Sequence, residues 1–388
     1  MRAERDGGHV PNASRGDGTD GGAGRTIRRQ RSRVRCVAVT GAARPLGDRL
    51  VRALLASGSV RKTIAIDTIR GESEATWRLA DPRDPALADR LRGVDTLVHL
   101  AIDSGVGADR AWQESLNVHG TAAALTAAAA SGVRHVVIVT SAQVYGASPA
   151  NPVPLDEDAE VRALPESGLL RDLLEMERLA AQAPRTHPGL SVSVVRPAAV
   201  VGPGVDTVIT RHFEGPRLLG VKGTATCWQF CHVDDLISAL VRIALRDLDA
   251  GGEERYAVFA VGAKGFLTRA EVERLSGKRH VDLPASVAFG TAERLHRIGV
   301  TPATAGDLQY LVYPWVVEPR RIFTLGWQPS YDNEAALRLL LTETAGRLTI
   351  GGHRLGRRDA AAGAAVGATV ALVGTAALVR RARRRRRA

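Results

Sequence analysis

Aromatic side chains make up only 4% of this 388-residue chain, too few for the stacking platforms that hold single-stranded nucleic acid. Cysteine is as scarce. Cys36, Cys227 and Cys231 are the three present, an odd number that excludes a disulfide-stapled scaffold and favours a reducing compartment. The first 34 residues contain no apolar run of the roughly 7–15 side chains that a secretory leader needs. No Gly-x4-Gly-Lys-Ser/Thr phosphate loop and no His-Glu-x-x-His pair occurs anywhere, and no repeat of solenoid period is visible. Cys227, Cys231 and His232 are close in sequence, but no second cluster supplies the remaining ligands of a closed tetrahedral site, so no metal is expected. Buried thiols, with His232 and Asp234 positioning a helix, are the simpler reading.

What the chain does have is a formal charge of +12, and its location decides its meaning. Residues 1–35 carry nine arginines against four acids, and residues 380–388 carry seven arginines and no acid. Those tails account for the whole excess, so the body between them is neutral. With 45% hydrophobic and 24% charged residues, that body has the balance of a globular protein. A neutral body without a groove-reading motif argues against nucleic acid as a partner.

Residues 1–34 are Gly-, Asp- and Arg-rich and read as a disordered basic tail. From residue 35, short apolar strands alternate with amphipathic helices. Strands are expected at 36–40, 63–66, near Leu79, 95–101, 135–140 and 191–195, and helices at 46–56, 85–92, 110–131 and 168–182. That alternation predicts an α/β fold built on a doubly wound parallel sheet over 35–201. A smaller lobe with helices at 233–246, 268–276 and 333–347 is expected over 202–348. Residues 349–388 read as a linker, an apolar helix at 360–379 and a polybasic tail.

The twenty uncharged residues 360–379 comprise nine Ala, four Val, three Gly, two Leu and two Thr, about the length that crosses a bilayer core. The arginines that follow would hold anionic head groups. A membrane-associated helix is therefore expected, spanning or shallow, with a cytoplasmic body. Gly363 and Gly367 would let two such helices approach, so a homodimer is among the expected assemblies.

Val-Thr-Gly-Ala-Ala-Arg-Pro-Leu-Gly (39–47) sits between the first strand and the first helix, where a glycine turn and a helix N-terminus can meet a diphosphate. Gly41 suits the tight turn, and Gly47 lets the helix approach the strand. Asp67 ends the second strand, where a carboxylate accepts from the ribose hydroxyls and repels a 2′-phosphate; this favours NAD over NADP.

These residues belong to a wider pattern. With Leu-Val-His-Leu-Ala (97–101), Asn-Val-His-Gly-Thr (117–121), Thr-Ser-Ala-Gln-Val-Tyr-Gly (140–146), Val-Arg-Pro-Ala-Ala-Val-Val-Gly-Pro (195–203), His-Val-Asp-Asp-Leu (232–236) and Leu-Gly-Trp-Gln-Pro (325–329), the chain resembles the NAD-dependent epimerase/dehydratase family. That family is a branch of the extended short-chain dehydrogenase/reductases, and the resemblance covers about residues 35–345. It implies a Rossmann domain, an NAD cofactor and a nucleotide-sugar ligand. It places the cofactor against Gly41, Arg44, Leu46, Gly47, Asp67, Asp81, Pro82, Leu100, Ala101, Asn117, Arg196 and Pro197, with Ser141 at the reacting oxygen. Arg44 stands where the family has glycine, and its side chain either crowds the diphosphate or pairs with it.

The family couples hydride and proton transfer through a Tyr-x-x-x-Lys pair on the helix after the Ser141 strand. Here Leu169 and Leu173 take those positions. No Tyr lies between Tyr145 and Tyr256, and no Lys between Lys62 and Lys222. Leucine exchanges no proton, so the ordinary route is closed. Tyr145 is the weak substitute, and Arg171, Asp172 and Glu175 are expected on the helix's solvated face. Three readings stand: an epimerase/dehydratase-type enzyme with an unusual acid/base, a noncatalytic membrane-associated scaffold or sensor that still binds NAD or a nucleotide-sugar, and a structural membrane protein.

Overall fold

The computed structural model describes residues 35–164, 168–248, 255–298 and 304–347, together with the backbone of the strands Thr349–Ile350 and His353–Arg354. The expected basic tail at 1–34, the apolar helix at 360–379 and the polybasic end lie outside the described residues. Among those described, no helix is long and apolar enough to cross a membrane.

Five of the six residues of β1 (Arg35–Thr40) are buried, as are all of those in β4 (Thr96–His99) and β5 (His135–Val139). Such continuous burial requires cover on both faces. The period-2 alternation of β1 shows how it is achieved. Val37 and Val39 join a cluster with Leu50, Val51 and Leu54 of α1 (Pro45–Ala56) and with Leu240 and Ile243 of the helix Val233–Ala244. Cys36 and Ala38 join the opposite cluster, with Leu87 of α2 (Leu87–Arg90), Ala124 and Ala128 of α4 (Gly120–Ala130), and Leu173, Met176 and Ala180 of α5 (Leu169–Thr186).

With β2 (Val60–Asp67), β3 (Thr76–Leu79) and β6 (Ser191–Pro197), and the strand Tyr256–Val261, these form one seven-stranded parallel sheet. Its order is Tyr256–Val261, β6, β5, β4, β1, β2, β3. The chain winds outward in opposite directions from β1 and β4. Their carboxyl ends therefore flank the crevice where open α/β sheets bind ligands.

Two expectations need adjustment. The segment from 202 does not leave the sheet: Tyr256–Val261 pairs with β6 from Val192 to Pro197, so residue 201 does not bound the sheet. Tyr-Ala-Val-Phe-Ala-Val is a continuous apolar run buried at five of its six positions, as a strand covered on both faces is. The helix expected over 110–131 is interrupted. It runs as α3 (Arg110–Glu114), a widened π-type turn at Ser115–His119, and α4. Such turns often mark functional positions, and Asn117 is at the centre of this one.

Beyond the sheet, Leu218–Val221 pairs in parallel with His280–Leu283, and Cys227–Trp228 pairs antiparallel with Leu267–Thr268. Trp228 and Phe230 stack at 6.1 Å, with Phe213 edge-on to both.

Candidate functional site

The crevice begins at Gly41. Its φ of +72° is open to glycine without strain, and a Cβ there would lie 2.6 Å from the Leu100 carbonyl oxygen. Gly47 is still tighter, because a Cβ would stand 2.0 Å from the Gly41 carbonyl oxygen. Gly41 thus brings the β1–α1 turn against Leu100 just after β4, and Gly47 brings α1 against the turn. Leu46 and Gly47 occupy the second and third positions of α1, whose N–H groups have no carbonyl one turn back. Pro45 supplies the first position and carries no N–H.

Asp67 sits beside the same turn. Its Oδ2 accepts from the Ala43 N–H at 3.0 Å and its Oδ1 from the Thr68 N–H at 2.7 Å. A half-buried carboxylate is thereby aimed from the end of β2 at the phosphate turn. Arg44 precedes α1 in an extended conformation and makes no side-chain capping bond. Its Nη1 instead donates to the Ile102 carbonyl, 2.9 Å away, on the loop after β4. Below, Thr40 Oγ1 meets His99 Nδ1 at 2.8 Å. Complete burial lowers the His99 imidazole to about 4, so it stays neutral at pH 7 and ties β1 to β4.

Asp81, expected against the cofactor, is engaged by Arg83, which the sequence reading did not single out. Arg83 grips Asp81 through Nε and Nη2, at 2.9 and 2.6 Å, and lies 4.3 Å over the Trp112 ring. The hydrogen bond from Arg83 holds the Asp81 carboxyl below its usual range. A carboxylate has about four acceptor positions, so Asp81 keeps capacity for a further donor. Pro82 is buried beside it, close to Gly120 at the start of α4.

Leu100 and Ala101 are buried along the end of β4. Asn117 is fully buried and clips the loop beyond them. Its Oδ1 accepts from the Asp103 N–H, and its Nδ2 donates to the Asp103 carbonyl and to Asp172.

The far end of the crevice departs from expectation. Asp172, read from sequence as part of a solvated face, is 1% exposed and paired with Arg110, whose Nη1 is 2.6 Å from Oδ2. Arg171 is exposed and Glu175 half-buried. The error came from treating α5 by itself. Asp172 faces α3, whose arginine can reach it.

Leu173 is buried in the apolar cluster with Val144 and Met176, and Leu169 is half-buried at the first position of α5. Ser141 is half-buried, its Oγ accepting from the Gln143 N–H at 3.2 Å. Tyr145 is not poised for proton transfer: it is 1% exposed and its OH donates to the Glu157 carbonyl at 2.8 Å. Burial raises its phenol.

Arg196, expected beside the nicotinamide, is buried and committed. Its Nε donates to Glu177 Oε1 at 2.9 Å, its Nη2 contacts Glu177 Oε2, and its guanidinium lies 4.7 Å over the Tyr145 ring. Pro197 follows at the end of β6. Sequence reasoning missed Glu177. Its spacing of four residues from Leu173 was the available signal, since it places Glu177 on the sheet-facing side of α5.

The Cys227–His232 stretch is structural. His232 caps the helix Val233–Ala244 through the Asp234 N–H, and Asp234 pairs with Arg49 of α1 at 3.1 Å. Among the described residues no three His, Cys, Asp or Glu side chains gather as metal ligands.

Comparison with known proteins agrees with this architecture. The family model for the NAD dependent epimerase/dehydratase family matches residues 37–262. An uncharacterized protein of Mycobacterium tuberculosis is 31% identical over 314 residues, spanning 77% of this chain and 81% of the relative. A UDP-glucose 4-epimerase of Mycolicibacterium smegmatis is 26% identical over 317 residues, 75% of this chain and 92% of the relative. Among solved structures, MoeE5 in complex with UDP-glucuronic acid and NAD is 26% identical with a TM-score of 0.59, covering 79% of this chain and 98% of MoeE5.

Proposed function

Because the chain belongs to the NAD-dependent epimerase/dehydratase family, we propose that it binds NAD in the crevice above β1 and β4, with a nucleotide-sugar as the companion ligand. One observation carries the reading: Gly41 closes the β1–α1 turn against Leu100 after β4, Gly47 packs α1 onto that turn, and Asp67 is hydrogen-bonded to it. The residues present fit the group. The turn leaves no room for a side chain at Gly41 or Gly47, the N–H groups of Leu46 and Gly47 suit a diphosphate, and Asp67 suits the ribose hydroxyls. Asp81 retains an acceptor position for an adenine amino group. NAD, when bound, supplies a hydride acceptor.

The chain's own residues bind and orient in this site, but none of those considered holds a proton ready to move. Leu169 and Leu173 cannot ionise. Tyr145 donates to Glu157, Asp172 is paired with Arg110 and Glu177 with Arg196. Ser141 offers a hydroxyl, and a serine without a neighbouring base is a weak acid/base. The proposed function is therefore that of an NAD- and nucleotide-sugar-binding protein that does not turn over by the Tyr/Lys route of its family. A body held at the cytoplasmic face of the cell membrane through residues 360–388 is part of the proposal, and deleting that segment and following membrane fractionation tests it.

Calorimetric titration of the full chain with NAD and NADP tests the central claim. NAD is expected to bind and to be preferred, and Asp67→Ala is expected to narrow that preference. If neither dinucleotide binds, the reading fails. Adding nucleotide-sugars to the NAD-loaded protein should leave the nicotinamide absorbance unchanged. Reduced cofactor accumulating there would show oxidation by an unconventional base.

A further inference from the structure

We propose that Arg44 reads the diphosphate of the dinucleotide: its guanidinium leaves the Ile102 carbonyl for the phosphate oxygens and supplies donors that the backbone of this turn has lost. The inference rests on the NAD reading above and concerns a residue that the family pattern would make glycine.

Consider first which donors the turn still offers. The Ala42 N–H is taken by the Ile66 carbonyl, the Ala43 N–H by Asp67 and the Arg44 N–H by the Gly41 carbonyl. Pro45 has none. The N–H groups of Leu46 and Gly47 are left, fewer than a helix N-terminus ordinarily presents. A guanidinium carries five N–H donors in a planar fork matched to phosphate, and among the described residues that of Arg44 makes one hydrogen bond, to Ile102.

Consider next the placement of the charge. Positions before a helix favour Ser, Thr, Asp or Asn, and the positive end of the helix dipole opposes a cation. Arg44 occupies that position without a capping bond. Farther along α1, Arg49 and Arg52 are paired with Asp234 and Asp48. Arg44 pairs with no carboxylate among the described residues and touches only a neutral carbonyl. An anion at the turn would relieve both the helix end and the guanidinium. The exchange is favourable because a phosphate brings opposite charge and paired acceptor oxygens to the guanidinium fork, where the Ile102 carbonyl offers one neutral oxygen. The half-buried side chain already reaches from the turn to Ile102 on the loop after β4, and so starts beside the N–H groups of Leu46 and Gly47 that a diphosphate would meet.

The test is calorimetry on the full chain with NAD and with ADP, at low and high salt, for the wild type, Arg44→Met, Arg44→Lys and Arg44→Gly. Thermal melts confirm folding. Arg44→Met and Arg44→Gly are expected to weaken both ligands by at least about tenfold and to flatten the salt dependence, with Arg44→Lys intermediate. Equal or tighter binding by Arg44→Gly would make the side chain a plug and overturn the proposal. A loss of affinity with unchanged salt dependence would also overturn it, since Arg44 would then act only by holding the loop through Ile102. If the wild type and every variant fail to bind either ligand, the NAD reading itself has failed and this inference goes with it.

Discussion

Arg110 of α3 and Asp172 of α5 form an ion pair, Nη1 to Oδ2 at 2.6 Å, one residue before the leucine that stands in place of the family's lysine. The pair is unequal. Asp172 is 1% exposed, whereas the Arg110 side chain is 36% exposed and also lies 3.7 Å from Glu114. Removing the arginine strands a buried carboxylate with little more than the Asn117 amide, while removing the carboxylate leaves an arginine that can turn to water. Arg110→Met should therefore cost about 3–5 kcal/mol, within the range for breaking a buried pair, and Asp172→Asn clearly less. The double variant should recover part of the loss. Urea denaturation of the three proteins measures all of it.

Gly47 and Gly58 allow a controlled comparison at the two ends of α1. A Cβ at Gly47 meets the Gly41 carbonyl oxygen 2.0 Å away, so Gly47→Ala forces α1 off the turn and should both destabilise the fold and abolish NAD binding. Gly58 has a φ of +62° and nothing within 4 Å of a Cβ. Gly58→Ala should cost about 1 kcal/mol through its backbone conformation alone and leave NAD affinity unchanged. Titration and denaturation of both variants separate close approach from conformational strain.

Buried imidazoles predict a pH dependence of stability. Burial lowers His99 to about 4 and His212 to about 3, against about 6.5 in an unfolded chain. Between those values the unfolded state binds more protons, so stability rises with pH. The full contribution is present above about pH 6.5 and is lost progressively as pH falls toward the folded values. Denaturation midpoints should therefore drop between pH 7 and pH 5. His99→Asn, which can keep a hydrogen bond to Thr40, should flatten that slope even if it lowers stability at pH 7.

The phosphate turn and Asp67 were legible because their constraints are local: a turn that only glycine fits, and an acid at a strand end. The missing Tyr and Lys were legible for a different reason, since an absent residue type needs no register. Charged partners were not. Arg110 finds Asp172 across 62 residues, and Arg196 finds Glu177 across 19. A helix read alone assigns such charges to water by default. Asp67 and Arg196 show the contrast. Asp67, read from its strand end, hydrogen-bonds the neighbouring turn, while Arg196, carried over from the resemblance, is held by an internal carboxylate whose position only tertiary packing reveals.

Leu173, the leucine expected at the family's lysine position, is part of the core, and substitution there measures how firmly. If the position still opened on the groove, a lysine there would extend its ammonium into solvent or onto a bound ribose and cost little. The packing says otherwise, because Leu173 is 5% exposed among Val144, Met176 and Ala180. Leu173→Met should cost less than about 1.5 kcal/mol, as volume-conserving swaps do, and Leu173→Ala about 2–5 kcal/mol. Leu173→Lys should exceed the alanine variant, since burial must either strip the ammonium of water or drive it to the neutral amine. Urea denaturation orders the three variants. A lysine variant as stable as the wild type would mean that the position still opens on the groove rather than being built into the core.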